Sequence, residues 1–419
     1  MMTNTLRMCV LSLLFLIALV SCGGSQRMAE GGIGGTGISS GPINGFGSII
    51  VNGIHFDVSQ AEILINGVSA SENDLHHGMV VTVFGGINES SQTGVAAKVV
   101  YNTSVRGQVE SIDEDSQTLV IMGQRVNFDD LTVFDGLSES DITQGMNITV
   151  SGVLNADSDL LASYVSLREI LSDEAGAVAG SDGELSLVDV PVIDLESPSQ
   201  AELFMPGNKL SLNGLVTAVA SNSRFSIQSI VIEIDEETTY QNGDANSIAL
   251  NGNVLVRGEV NNDGVIVADE IKFRSTRLLR VAAQVDAVSQ NGVTLAGRVN
   301  AQVSTSTLML DSSTAALRTF SLRDVSVGDH LIMYGHQSID GVVLVRLERV
   351  DSLEQQSISG PVASLPGQPV FDVLGVTVDT SLMSGNADLF MQLAVDDWVD
   401  VTGGLNGSVL TAESVVIRQ

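Results

Sequence analysis

A seven-residue interval recurs five times along the chain and limits its fold more than any other feature. It runs from Gly78 to Gly85, from Gly145 to Gly152 and from Gly328 to Gly335, and again from Asn251 to Gly258 and from Asp396 to Gly403. At its third and fifth steps stand Val81/Val83, Ile148/Val150, Val254/Val256, Leu331/Met333 and Val399/Val401, all apolar. Residues two apart share one face of a β-strand, so each interval predicts a strand with one buried face. Gly, Asn and Asp exchange at the leading position because all three enter the left-handed backbone region readily, which predicts a tight turn before each strand.

A longer pattern surrounds each interval, in units at 43–102, 104–168, 210–274, 278–351 and 356–418. In the second, Val105-Arg106-Gly107-Gln108-Val109 alternates in polarity, and Leu119-Val120-Ile121 and then Val126 and Phe128 follow beyond turns. A short polar segment with Ile142 predicts one or two helical turns before Met146–Gly152 and Leu160–Val165. The unit opening recurs as Gly47-Ser48-Ile49, Gly107-Gln108-Val109, Gly214-Leu215-Val216, Ala283-Gln284-Val285 and Gly360-Pro361-Val362. Three strands, a short helical crossing and two more strands is the order of an OB-like barrel. The expected fold is therefore all-β, a tandem array of about five small five-stranded OB-like barrels. Open sheets, or β-sandwiches of paired units, are the alternatives. A unit this short buries only ~60% of its chain surface, so neighbours should pack together. Residues 169–209 break the rhythm with nine acidic residues, the single base Lys209 and the prolines Pro191, Pro198 and Pro206. They read as an acidic linker or partial unit, with Leu185–Val190 a strand candidate, dividing the array into two and three units.

The first residues carry an address. Arg7 precedes an apolar run from Val10 to Val20, and small residues follow. That order reads as an export signal over 1–21, too short for a membrane span of ~20 residues. Leu19-Val20-Ser21-Cys22 resembles the lipobox of bacterial lipoproteins. The resemblance implies cleavage before Cys22, diacylglycerol on its sulfur and a membrane attachment through that lipid. Gly23 and Gly24 leave out the aspartate that retains such proteins in the inner membrane, which points to the outer membrane, facing the periplasm or the exterior. Residues 22–42 read as a Gly-rich tether. They spell G-x-G-x-x-G at Gly32–Gly37 and G-x-S-x-G at Gly37–Gly41, but neither has the strand-turn-helix setting its chemistry needs.

Charge narrows the partners. Fifty acidic against 19 basic residues give a net charge of -31, which excludes a nucleic-acid binder and opposes adsorption to anionic lipid. Of the two cysteines, Cys9 leaves with the signal, so no disulfide is expected. No catalytic residue, metal or cofactor is expected either. His55, His76, His77, His330 and His336 lack the i,i+4 spacing of a metalloprotease. His76-His77 reads as a solvated turn, with adventitious metal as the alternative, and His336 as a loop residue. The acidic stretches Asn155–Asp159, Asp113–Asp115 and Asn261–Gly264 depart from the EF-hand pattern and read as hairpin tips, weak calcium binding being the alternative. Lys272, Arg274, Arg277 and Arg280 form a basic cluster between units three and four, expected to be salt-bridged to acidic neighbours, with a phosphate site as the alternative. Trp398, the only tryptophan, is out of phase with Val399 and Val401. It is the candidate contact residue, with packing between units as the alternative.

Gly31–Gly37, the run Ile43-Asn44-Gly45-Phe46-Gly47-Ser48-Ile49-Ile50-Val51-Asn52-Gly53, and Asp74-Leu75-His76-His77-Gly78-Met79-Val80-Val81 together resemble the tandem-repeat bacterial lipoproteins built on a domain of unknown function. The resemblance implies β-rich OB-like modules in the cell envelope and brings no activity, substrate or catalytic residue. His76 and His77 depart from its usual pattern. The expected function is a lipid-anchored, non-catalytic envelope protein whose modules scaffold or bind a protein or glycan. Two alternatives stand beside it: a carbohydrate- or calcium-binding array acting on extracellular polysaccharide, and an enzyme with a site between repeats.

Overall fold

The computed structural model describes residues 36–88, 90–113, 117–167, 204–275, 277–338 and 341–418. The signal, Cys22, most of the glycine-rich stretch, residues 168–203 (Leu185–Val190 included) and the Glu114-Asp115 tip lie outside them.

Five pairings close each unit. In the second, Val105–Asp113 pairs with Thr118–Ile121, which pairs with Gln124–Asn127. That third strand runs parallel to the last, Leu160–Ser166, which pairs with the fourth, Asn147–Leu154, and the fourth returns to the first. The order first-second-third-fifth-fourth closes the sheet on itself and removes its free edges. The first unit repeats it with Thr36–Gly45, Ile49–Val51, Ile54–Asp57, Thr93–Tyr101 and Val80–Asn88. So do the third, from Lys209–Ser221 to Ile266–Phe273, the fourth, from Leu279–Val288 to Gly341–Val350, and the fifth, from Gln356–Gly367 to Val409–Arg418. A 3-10 turn occupies the crossing in the first four units, and the α-helix Asn386–Gln392 does so in the fifth. The protein is an all-β tandem array of OB-like barrels.

The recurring interval is the mechanical centre of each barrel. All ten of its apolar residues are at most 2% exposed and fill the barrel interiors. The leading residue has positive φ every time: 82° at Gly78, 90° at Gly145, 65° at Asn251, 93° at Gly328 and 72° at Asp396. Its amide donates to the carbonyl of Ile43, Val109, Val216, Val285 or Val362 on the first strand, which ties the turn to the barrel wall. The trailing glycine sits at a β-bulge against the fifth strand, and a Cβ there would meet a main-chain carbonyl of that strand at 2.0–2.5 Å. The turn tolerates Asn or Asp; the bulge has no space for any side chain.

Two expectations need correction. The first unit begins at Thr36, not at residue 43, so residues 36–42 are strand and not tether. Its opening is Gly41-Pro42-Ile43 and not Gly47-Ser48-Ile49, because Gly41 pairs with Val81 as Gly107 pairs with Ile148 and Gly360 with Val399. Small polar residues hide this strand in the sequence, where it shows no alternation. It forms because a partner flanks it on each side: Val80–Asn88, and in parallel Lys209–Ser221 of the third unit, from Gly37↔Lys209 to Ser40↔Leu212. The G-x-S-x-G stretch is therefore mid-strand, with Ser39 fully buried. That pairing also overturns the division into two and three units, since the first and third barrels share one continuous sheet. The fourth and fifth do likewise through Arg280↔Ser359 to Ala282↔Ser357.

The second barrel docks by side chains. Ser151 Oγ accepts from the Val80 amide at 2.9 Å, and Ser163 Oγ donates to the Gly78 carbonyl at 2.7 Å. The described residues thus belong to one compact body.

Candidate ligand cleft where four units meet

The basic cluster separates into cations with different tasks. Arg274 pairs with Asp129 of the second barrel at 2.8 Å, and Arg280 donates to Tyr334 and Ser357. Arg346 reaches the carbonyls of Asp130 and Thr132. Lys272 is different: among the described residues its ammonium makes no ion pair or hydrogen bond. Burial lowers its pKa from the ordinary lysine range, helped by Arg257 and opposed by Glu270.

Lys272 lines a cleft of about 470 Å³, within the span usual for small-molecule sites. The first barrel contributes Pro42 and Asn44, the second Leu131, the third Asn213, Gln241, Asn242, Lys272 and Arg274, and the fourth Ser304, Ser306, His336 and Gln337. His336 is no loop residue, because the fourth strand runs on through it past the bulge at Gly335. Burial, then Lys272 and Arg274, lower its pKa, so the ring is neutral near pH 7 and serves as a hydrogen-bonding group. Among the described residues the polar part of the lining is amides, hydroxyls and cations, with no carboxylate. In a chain of net charge -31 this is a local cationic pocket. A smaller cavity of about 70 Å³ adjoins it, sharing Pro42, Asn44, Leu131, Asn213, Arg274 and Val345. Asn253 lines that cavity, and its Oδ1 is buried with no hydrogen-bond partner among the described residues. Sequence reasoning missed the cleft because its walls come from four units. The only signal was Lys272, grouped there with its neighbours.

The histidine pair is not a solvated turn. His77 meets Phe46 edge-on at 4.8 Å between centroids, and Arg318 of the fourth unit lies 3.8 Å over the same ring. Arg318 also donates to the carbonyls of Asn73 and Glu72, fastening the fourth barrel to the first. His76 stacks on Tyr164 of the second barrel, with Nδ1 3.3 Å from Asp135, which also accepts from the Tyr164 hydroxyl at 2.9 Å. Among the described residues no group of three His, Cys, Asp or Glu is placed to hold a metal. The Asn155 loop folds on its own side chain, whose Oδ1 accepts from Asp157 and Asp159, and its tip docks on Asn251 of the third barrel. Trp398 is half-buried against the joined core of the fourth and fifth barrels, and the fifth contributes nothing to the cleft.

His77 sets a pH dependence. Burial first, then Arg318 and His76, lower its pKa from 6.5 to about 3. Neutral imidazole is the folded form, so protons favour the unfolded chain: stability is full above about pH 6.5 and falls as the pH drops toward 3. The loss by pH 5 is up to about 2 kcal/mol, and His336 shifts in the same direction. Urea midpoints for wild type and His77→Phe between pH 7.5 and 5 check this; the variant's profile is expected to be flatter.

Fold and cleft define the class: a tandem OB-like barrel protein with a polar, cationic junction. Residues 106–166, 213–272 and 359–416 match the family described as a domain of unknown function, DUF5666. Three units, the second, third and fifth, are thus similar to one domain, and the first and fourth share the same strand closure. No curated protein matches the chain. Among solved structures, the chain is similar to drosophila Unr CSD456 at 11% identity, over 50% of this chain and 97% of that one, with a TM-score of 0.20. So loose a likeness adds nothing to the barrel assignment, which rests on the strand pairings.

Proposed function

We propose that the protein is a lipid-anchored, non-catalytic component of the cell envelope, held to the outer membrane through Cys22, whose fused barrels present a binding surface for a protein or glycan. The observation that carries the binding half of this reading is the cleft. Four units converge on it, and it offers hydrogen-bond donors and positive charge in an otherwise acidic protein. The anchoring half rests on Leu19-Val20-Ser21-Cys22, and the net charge of -31 makes a covalent lipid the workable route to an anionic membrane. Glycoside hydrolysis at this cleft would need a pair of carboxylates, and among the described residues its lining supplies none.

Expression of the full chain in a Gram-negative host with an alkyne-tagged fatty acid tests the anchor. Wild type is expected to carry the label and sediment with outer membranes, and Cys22→Ala to lose the label and become soluble. Unlabelled, soluble wild type would overturn the reading.

A further inference from the structure

Two groups of opposite character line the adjoining cavities, Lys272 the larger and Asn253 the smaller. Among the described residues the Lys272 ammonium has no acceptor, whereas Arg257, Arg274, Arg346 and Arg349 each have a carboxylate and Arg280 and Arg318 donate to hydroxyls or carbonyls. Asn253 Oδ1 is an acceptor without a donor, and buried polar atoms are rarely left so. Their strands are neighbours: Lys272 stands opposite Leu255, and the Arg274 amide bonds to the Asn253 carbonyl. The two positions are therefore one two-residue step apart, about 7 Å along the strand. Around them stand amides, an apolar flank of Leu131 and Leu255, and in the smaller cavity Asp129, whose charge Arg274 balances.

We propose that the cleft binds a carboxylated sugar, with its carboxylate on Lys272 and a ring hydroxyl donated to Asn253 Oδ1. A carboxylate satisfies the ammonium in a charge-assisted hydrogen bond. A hydroxyl supplies the proton that Asn253 lacks, and further hydroxyls match Gln241 and Asn242, which both donate and accept. A neutral sugar leaves the ammonium bare. A simple anion leaves the amide oxygen bare. The inference rests on the binding reading above and names its ligand class.

Calorimetry on the full chain in detergent, at fixed salt, provides the test, with trigalacturonate, maltotriose and inorganic phosphate as probes. Trigalacturonate is expected to bind at one site, and maltotriose about tenfold more weakly or worse. Lys272→Met is expected to weaken trigalacturonate about tenfold and abolish its preference over maltotriose, while Lys272→Arg, which keeps the charge, retains most of the affinity. Asn253→Leu is expected to weaken both sugars. Silent trigalacturonate titrations would overturn the proposal. So would equal affinity for maltotriose, or phosphate binding as tightly with the same loss in Lys272→Met, which would make this an anion pocket only. The anchor assay reads Cys22 alone, so failure of either experiment leaves the other interpretable.

Discussion

Replacing Gly403 with alanine is expected to lower the stability of the fifth barrel by about 3 kcal/mol. The same change at the adjoining Gly404 should move it by no more than about 0.5 kcal/mol. The two glycines are chain neighbours in one strand, so propensity and the unfolded-state effect of a methyl group are alike at both. Their surroundings differ. A Cβ on Gly403 would lie 2.0 Å from the Thr411 carbonyl oxygen and 3.1 Å from the Ala412 Cα, whereas nothing stands within 4 Å of one on Gly404. The obstacle is main chain, so no rotamer change relieves it, and the fourth and fifth strands must separate at the bulge between Thr402 and Gly403. Trp398 begins the same strand and is the only tryptophan, so its fluorescence in urea follows this barrel. Equal midpoints for the two variants would refute the close-approach argument, and with it the reason given for Gly85, Gly152, Gly258 and Gly335.

The barrels were legible because period-two burial and positive-φ turns are written in single residues. Val399 and Val401 announce a buried face, and Asp396 at φ 72° announces the turn before it. The first strand was not legible. Thr36–Gly45 has one large apolar residue, Ile38, in its first half, and its register is set by strands on both sides rather than by its own pattern. Relations between units were also hidden. Pairing of the first barrel with the third bypasses the second, and no local signal marks a strand edge that will be shared. His76 and His77 show the same gap: two adjacent histidines before a turn glycine suggest a solvated turn, yet each packs on a ring, Tyr164 and Phe46 respectively. The cleft needs all of these contacts at once. Its residues lie on four units, so composition within any one of them could indicate only that Lys272 and Arg274 are unusual bases in an acidic chain.

Asn52 should prove the most sensitive residue in the seam between the first and third barrels. It is 4% exposed and occupies the turn after Ile49–Val51 at φ 55°. Its Nδ2 donates toward Ser39 Oγ at 3.2 Å, the Ser40 carbonyl at 3.0 Å and, across the seam, the Ser211 carbonyl at 2.9 Å. Its own carbonyl accepts from Arg257 of the third barrel, which is held by Glu270 at 2.7 Å. Asn52→Ala strands these buried acceptors and keeps a Cβ in the left-handed region, for an expected cost of about 3–4 kcal/mol. Asn52→Gly strands the same acceptors but relieves the backbone, so it should be milder than alanine by about 1 kcal/mol. Asn52→Asp preserves shape and removes the donor. Its carboxylate then faces two carbonyl oxygens, and the loss should match or exceed that of alanine. Urea unfolding orders the three variants, and limited proteolysis reports whether the first barrel has come away from the third. An Asp variant as stable as wild type would mean that the amide does not hold the seam. Alanine and glycine with equal, small losses would mean that the strand pairing from Gly37↔Lys209 to Ser40↔Leu212 suffices alone.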